Sequence, residues 1–201
     1  ASPRLTHDTK RDTMTDTIEI PGYKAGTWTI DPSHSEVGFS VRHLMVSKVK
    51  GNFETFEGSL TIGENPLESS VTAEVDLNSI NTRDAGRDAH LKSADFFETE
   101  AHPKLTFAST SVIADGDDFK VTGDLTIKGI TKPVVLDLEF NGVHPDPWGG
   151  TRSGFSATTE ISRKAFGVDF EIPMDGGGVV VGDKITVGLE VEAVLQAALV
   201  D

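Results

Sequence analysis

The residue types that do most protein chemistry are present, but their spacing assembles no familiar reaction centre. Six histidines occur: His7, His34, His43, His90, His102 and His144. None stands at a close metal-ligand spacing such as H-x-H or H-E-x-x-H. The chain has no cysteine. A zinc site would therefore need several distant imidazoles to converge with carboxylates. The simpler reading makes His34 a turn or cap residue before a strand and His43 a partly buried strand residue. No G-x-S-x-G elbow presents a serine nucleophile, and Arg152-Ser153-Gly154-Phe155 reads as a strand-start turn. Carboxylates are plentiful, yet no pair stands out for glycoside chemistry. Gly176-Gly177-Gly178 lacks the G-K-[ST] that a phosphate loop needs and precedes a strand pattern, so it reads as a turn. On these grounds no catalytic residue, no metal ligand set and no cofactor is assigned.

Two groups invite a binding reading. Arg83, Arg87 and His90 are spaced to share one helix face, with the apolar pair Phe96-Phe97 close by. A cationic cluster at the rim of an apolar cavity would suit an amphiphile with a polar head. The competing reading pairs Arg83 and Arg87 with Asp84, Asp88 and other surface carboxylates. The second group is aromatic. Eleven Phe against one Tyr and two Trp is an apolar bias with few polar handles. Phe39, Phe53, Phe56, Phe107, Phe155, Phe166 and Phe170 could fill a barrel interior, or equally line a cavity for an isoprenoid or fatty chain.

The elements that must position these residues are strands. From Thr27 onward the chain alternates apolar and polar residues with period two. Val37, Phe39, Val41 and His43 share a face, with Glu36, Ser40 and Arg42 opposite. Phe56, Leu60 and Ile62 form another such row, as do Val71, Ala73, Val75 and Leu77. The pattern runs on through Leu105 and Phe107, Phe119 to Ile127, Val134 to Phe140, Phe155 to Ile161, and Ile185 to Ala193. That predicts about eight or nine strands separated by Gly, Pro, Asn and Asp turns. One helix is expected within Thr82 to Phe97, and a second helical turn near Leu44 to Val49. Antiparallel strands with alternating faces make a sandwich or a barrel. Long strands with one helical insertion favour the barrel, whose closure also removes exposed edges. About eight strands enclose either side chains alone or one small apolar ligand.

With 201 residues the chain is long enough for one domain with a sizeable core. The division expected is a flexible N-terminal arm over 1–25, a barrel over 26–195 and a tail over 196–201. Residues 1–13, which precede Met14, read equally as native or as an added leader. A net charge of −14 argues against a nucleic-acid partner and against unassisted docking on anionic lipid heads. No apolar run is long enough for an integral membrane segment. The polar N-terminus shows no export-type apolar stretch, which makes a cytoplasmic location the expectation, with export open if the N-terminus is processed.

Ordered motifs add a family resemblance. Trp28-Thr29-Ile30-Asp31-Pro32-Ser33-His34-Ser35 opens a stretch similar to the YceI-like family of lipocalin-like, polyisoprenoid-binding proteins. The likeness continues through Val37 to His43, Val49 to Phe53, Phe56-Glu57-Gly58, Ser79 to Thr82 and Arg87 to Phe97. Pro103 to Phe107, Gly123 to Thr131 and Ile161 to Val168 complete it, in the family's order. It spans about residues 26–195.

The resemblance implies an all-β, extended antiparallel lipocalin-like barrel with a long apolar lumen. It implies a bacterial protein that binds a polyisoprenoid or isoprenoid quinone, carrying or sequestering it, with no catalytic set to transfer. It also admits a homodimer, which no residue feature requires. Val37, Phe39, Val41, Phe56, Leu60, Phe107 and Phe155 are then expected to face the lumen. Arg83, Arg87 and His90 are expected at its rim. Two alternatives stay open: an enzyme acting on an isoprenoid lipid through His43, His90 or a carboxylate, and a filled, ligand-free barrel serving stress or interaction roles.

Overall fold

The structure, a computed structural model, describes residues 20–197. Among the described residues, eleven strands and one α-helix succeed one another. β1 (Gly26–Ile30), β2 (Glu36–His43), β3 (Ser47–Phe53), β4 (Phe56–Ile62), β5 (Ser70–Asp76) and the short β6 (Ile80–Asn81) precede the helix α1 (Ala85–Lys92). β7 (Lys104–Asp115), β8 (Asp118–Ile127), β9 (Ile130–Pro145), β10 (Thr151–Ser162) and β11 (Val181–Leu195) follow it.

All pairings are antiparallel, and β1 pairs with both β4 and β11. The circuit β1-β4-β5-β7-β8-β9-β10-β11 therefore closes into an eight-stranded barrel. Closure leaves these strands without a free edge. β2, β3 and β6 extend the sheet from the N-terminal part of β11, Val181 to Glu190, where Val187 faces Phe39 and Leu189 faces Val37. The expected all-β barrel with one helical insertion is the observed fold. Among the described residues no helix is long and apolar enough to cross a membrane.

The alternating residues place the core. At one end of the barrel Trp28, Leu60 and Ala193 are buried together, on three strands that meet where the sheet closes. At the other end Phe96, Leu125, Ile127, Phe166 and Val168 form a second cluster. Phe53, Val75, Leu77 and Ile80 form a third, under the strand extension. Between them lies a lumen.

Three local expectations are corrected. Leu44 to Val49 is not a helical turn. Leu44 and Met45 take left-handed backbone angles (φ 51° and 60°) that reverse the chain, and Ser47 then pairs back onto His43 to begin β3. Two consecutive residues of that hand suit a tight hairpin and not a helix. The helix spans only Ala85 to Lys92 of the expected Thr82–Phe97. The Asp84 carboxylate accepts from the Arg87 backbone N–H at 2.8 Å and caps its start. The arm expected over 1–25 falls partly outside the described residues, but Ile20, Tyr23 and Lys24 lie against the barrel end. There the Tyr23 hydroxyl donates to the Gly63 carbonyl.

Candidate functional site: an apolar lumen

All seven residues expected to face the lumen line one internal cavity of about 280 Å³. Val37, Phe39 and Val41 come from β2, Phe56 and Leu60 from β4, Phe107 from β7 and Phe155 from β10. Each arrives there because residues two apart in a strand share a face. Only Leu60 is buried; the other six are half-buried despite their inward position. Side chains packed to interior density would be buried, so the wall encloses free space. A second apolar chamber of about 90 Å³, between Trp28, Tyr23, Phe119 and Phe140, adjoins it. Leu60, Val71, Leu138 and Phe155 line both and form the waist between them.

Lining residues from the insertion escaped the alternation rule. Leu91, Phe96 and Phe97 reach the cavity from α1 and the turn after it. Phe97 meets Phe53 edge-on, with ring centroids 6.4 Å apart. A period-two reading carries no information on how an inserted helix is rotated.

The wall has little polar character. Among the described residues Arg163 is its one buried charge, 5% exposed, at the junction of β10 and the segment leading to β11. Its guanidinium is spent on backbone carbonyls: Nε on Gly182 at 2.9 Å, Nη1 on Val168 and Phe170 at 2.8 and 2.9 Å, and Nη2 on Val181 at 3.1 Å. It ties the 167–181 segment to the barrel. The sequence signal was an arginine at the end of an apolar row, quoted only as part of a motif. Ser153 Oγ, on the wall of the smaller chamber, is buried without a hydrogen-bond partner.

The three expected rim residues do not form a receptor for a polar head. Arg83 precedes the helix with φ 64°, so it cannot share a helix face with Arg87 and His90. Arg87 donates from Nε to Thr82 Oγ1 at 2.8 Å and from Nη2 to the Thr82 carbonyl at 2.6 Å. His90 Nε2 meets Asp95 Oδ2 at 2.8 Å, and its ring packs edge-on against Phe96 and Phe170. None of the three lines the cavity. The rival pairing with Asp84 and Asp88 is also not formed, since those carboxylates bind the Arg87 backbone N–H and the Thr82 N–H and hydroxyl.

One other cluster has the composition of a reactive site. Asp31, His34 and Glu192 bring ligand atoms within 4.8 Å of one another. Arg152 already occupies that space: Nη1 is 2.8 Å from Asp31 and 3.6 Å from Glu192, and Nε is 3.2 Å from Asp146. Its guanidinium, then Ser33 and His34, hold the Asp31 carboxyl well below the usual carboxylate range. A fixed cation among the carboxylates disfavours a metal. Ser33 Oγ and Asp31 Oδ2 both approach His34 Nδ1, at 3.0 and 2.9 Å. A nucleophile relay needs the serine on one ring nitrogen and the acid on the other. The cluster is a cap that fastens the β1–β2 corner to β10 and β11. His43 ends β2, half-buried and outside the cavity lining.

Known proteins resemble this chain in sequence and fold. The YceI protein of an Escherichia coli O17:K52:H18 strain is 43% identical over 164 residues, covering 81% of this chain and 83% of its own. A crystal structure of the Campylobacter jejuni YceI protein superposes with a TM-score of 0.67 at 32% identity, over 83% of this chain and 96% of that one. A polyisoprenoid binding domain from Saccharophagus degradans has the same fold, with a TM-score of 0.66 at 15% identity, over 86% of this chain and all of its own. The model of the YceI-like domain matches residues 28–193, from the buried Trp28 to the buried Ala193, and the chain belongs to the YceI-like family.

Proposed function

We propose that this protein binds an amphiphilic polyisoprenoid, such as an isoprenoid quinone or prenyl lipid, in the barrel lumen and carries or sequesters it. The observation that carries the reading is the cavity of about 280 Å³ with an almost wholly apolar wall. Apolar cavities stay dry and bind apolar guests. A prenyl chain threaded past the Leu60–Phe155 waist gains about 0.8 kcal/mol per buried methylene. That gain offsets the loss of chain freedom on binding. Such a site selects by shape and apolarity, which suits a wall built from Val, Leu, Ile and Phe. Membership of the YceI-like family, and a polyisoprenoid binding domain with the same fold, support the choice of an isoprenoid over other lipids. The reading gives no residue a catalytic role. The free space inside the wall supports this reading over the filled-barrel alternative.

Native mass spectrometry of the purified protein, followed by solvent extraction and lipid identification, tests this. A co-purifying prenyl chain or quinone, or stoichiometric uptake of added isoprenoid quinone, is the expected result. A clean mass with no uptake would overturn the proposal. A different bound lipid would keep the lumen as the site and discard the isoprenoid.

A further inference from the structure

The protein carries a net charge of −14, yet one hairpin runs against that balance. From Ser40 to Lys50 there is no acidic residue. Arg42, Lys48 and Lys50 are exposed, and among the described residues none of them has an ion-pair partner. Arg42 lies directly opposite Lys48 in the β2–β3 ladder. Like charges so placed repel, which disfavours the hairpin unless an anion meets them. The tip between them is apolar. Leu44, Met45 and Val46 are 38%, 55% and 80% exposed, and Leu44 and Met45 hold the left-handed backbone that bulky residues rarely adopt. Trp148, at the far end of the barrel, is exposed too, but the cation next to it, Arg152, is taken by Asp31 and Asp146.

The tip also adjoins the lumen. Val41 lines the cavity, and His43 pairs with Val181, which lines it as well. The Leu44 N–H donates to the Val180 carbonyl at 2.8 Å. This end of the barrel is covered by α1 and the 167–180 segment. They meet through Phe170 packed on His90 and Phe96, and not through a strand ladder.

We infer that the β2–β3 tip docks on the anionic face of a phospholipid bilayer, its apolar residues sinking among the headgroups and its cations meeting phosphates. Apolar side chains flanked by basic ones are the composition of an interfacial anchor. Each cation near such a surface raises partitioning about fivefold. Asp169 and Asp175 on the neighbouring segment weaken the field, so the attachment is reversible. Docking brings the segment-covered end of the lumen to the lipid. That consequence rests on the proposed cargo, whereas the docking itself does not.

Flotation with vesicles tests it, using phosphatidylcholine alone and phosphatidylcholine with added phosphatidylglycerol. Wild-type protein is expected to float with the anionic vesicles only, and to be released by salt. The double variants Met45→Asp/Val46→Asp and Lys48→Glu/Lys50→Glu are each expected to bind about tenfold or more weakly. Both should still take up isoprenoid quinone delivered from ethanol, and circular dichroism confirms their fold. Wild-type protein that does not float, or variants that float as well as it does, would overturn the inference. Equal binding to neutral vesicles would also overturn it. So would a dimer in solution that Met45→Asp/Val46→Asp dissociates without any vesicle binding, since the tip would then be covered by a second copy. Flotation without uptake of quinone would uphold docking and sink the cargo instead.

Discussion

At the scale of single residues, the charged side chains divide into those that fasten the fold and those left free. Arg163 and Arg152 fasten it: one binds four carbonyls and the other bridges three carboxylates. Arg152 makes a pH effect expected at Asp31. The hydrogen bond from its guanidinium, then those from Ser33 and His34, depress the folded carboxyl below its ordinary value. The stability this contributes is fully present above the ordinary carboxylate pKa of about 3.9 and is lost as pH falls toward the folded value. Wild-type stability should therefore drop more steeply below about pH 4 than that of Asp31→Asn. Urea unfolding at a series of pH values checks this, and parallel curves would refute it. Arg42, Lys48 and Lys50 are among those with no ion-pair partner among the described residues, and they alone cluster on one hairpin beside an apolar tip.

At the scale of elements, close approach of strands decides how the lumen wall is built. Phe39 sits directly opposite Gly51 in the β2–β3 ladder, and its ring lies over the glycine. A Cβ at Gly51 would come 2.5 Å from Phe39 Cζ and 2.9 Å from Thr82 Cγ2. Gly123 receives the Phe107 ring in the same way, a Cβ there falling 2.6 Å from Phe107 Cε2 and 2.7 Å from the Ala108 carbonyl. The two glycines let large rings lie along the wall and leave the lumen open. Gly51→Ala should displace Phe39 and the buried Thr82, at about 1–3 kcal/mol of stability. It should also weaken quinone uptake. Unchanged urea midpoint and uptake would show that the ring has room elsewhere.

At the scale of the whole molecule, closure makes the site. The eight-stranded circuit holds its walls apart through the sheet's own hydrogen bonds, so the interior need not be filled for the barrel to persist. Ala157, 5% exposed and facing the cavity, is where this can be tested. Ala157→Phe should push into the lumen, cost about 1–3 kcal/mol of stability and reduce uptake at least about tenfold. Retained uptake in a folded variant would place the ligand elsewhere.

The alternating rows along the chain were enough to determine antiparallel strands and the inward face of nearly every one of them; strand length and the family resemblance turned that into a barrel. Val37, Phe39, Val41, Phe56, Leu60, Phe107 and Phe155 could be named in advance because period two is a local property that survives any packing. Tertiary structure decided what depends on distant partners. Leu44 to Val49 has helical-looking composition, yet the pairing of Ser47 with His43 makes it a hairpin. Arg83, Arg87 and His90 are spaced as a helix face, but Asp84 starts the helix after Arg83, and Thr82 and Asp95 engage the other two. The rotation of α1 that brings Leu91, Phe96 and Phe97 to the lumen is likewise set by the barrel beneath it. The same holds for the hairpin's charge. Net charge is a sum over the whole sequence, and only folding gathers three cations without an ion-pair partner among the described residues beside an apolar tip.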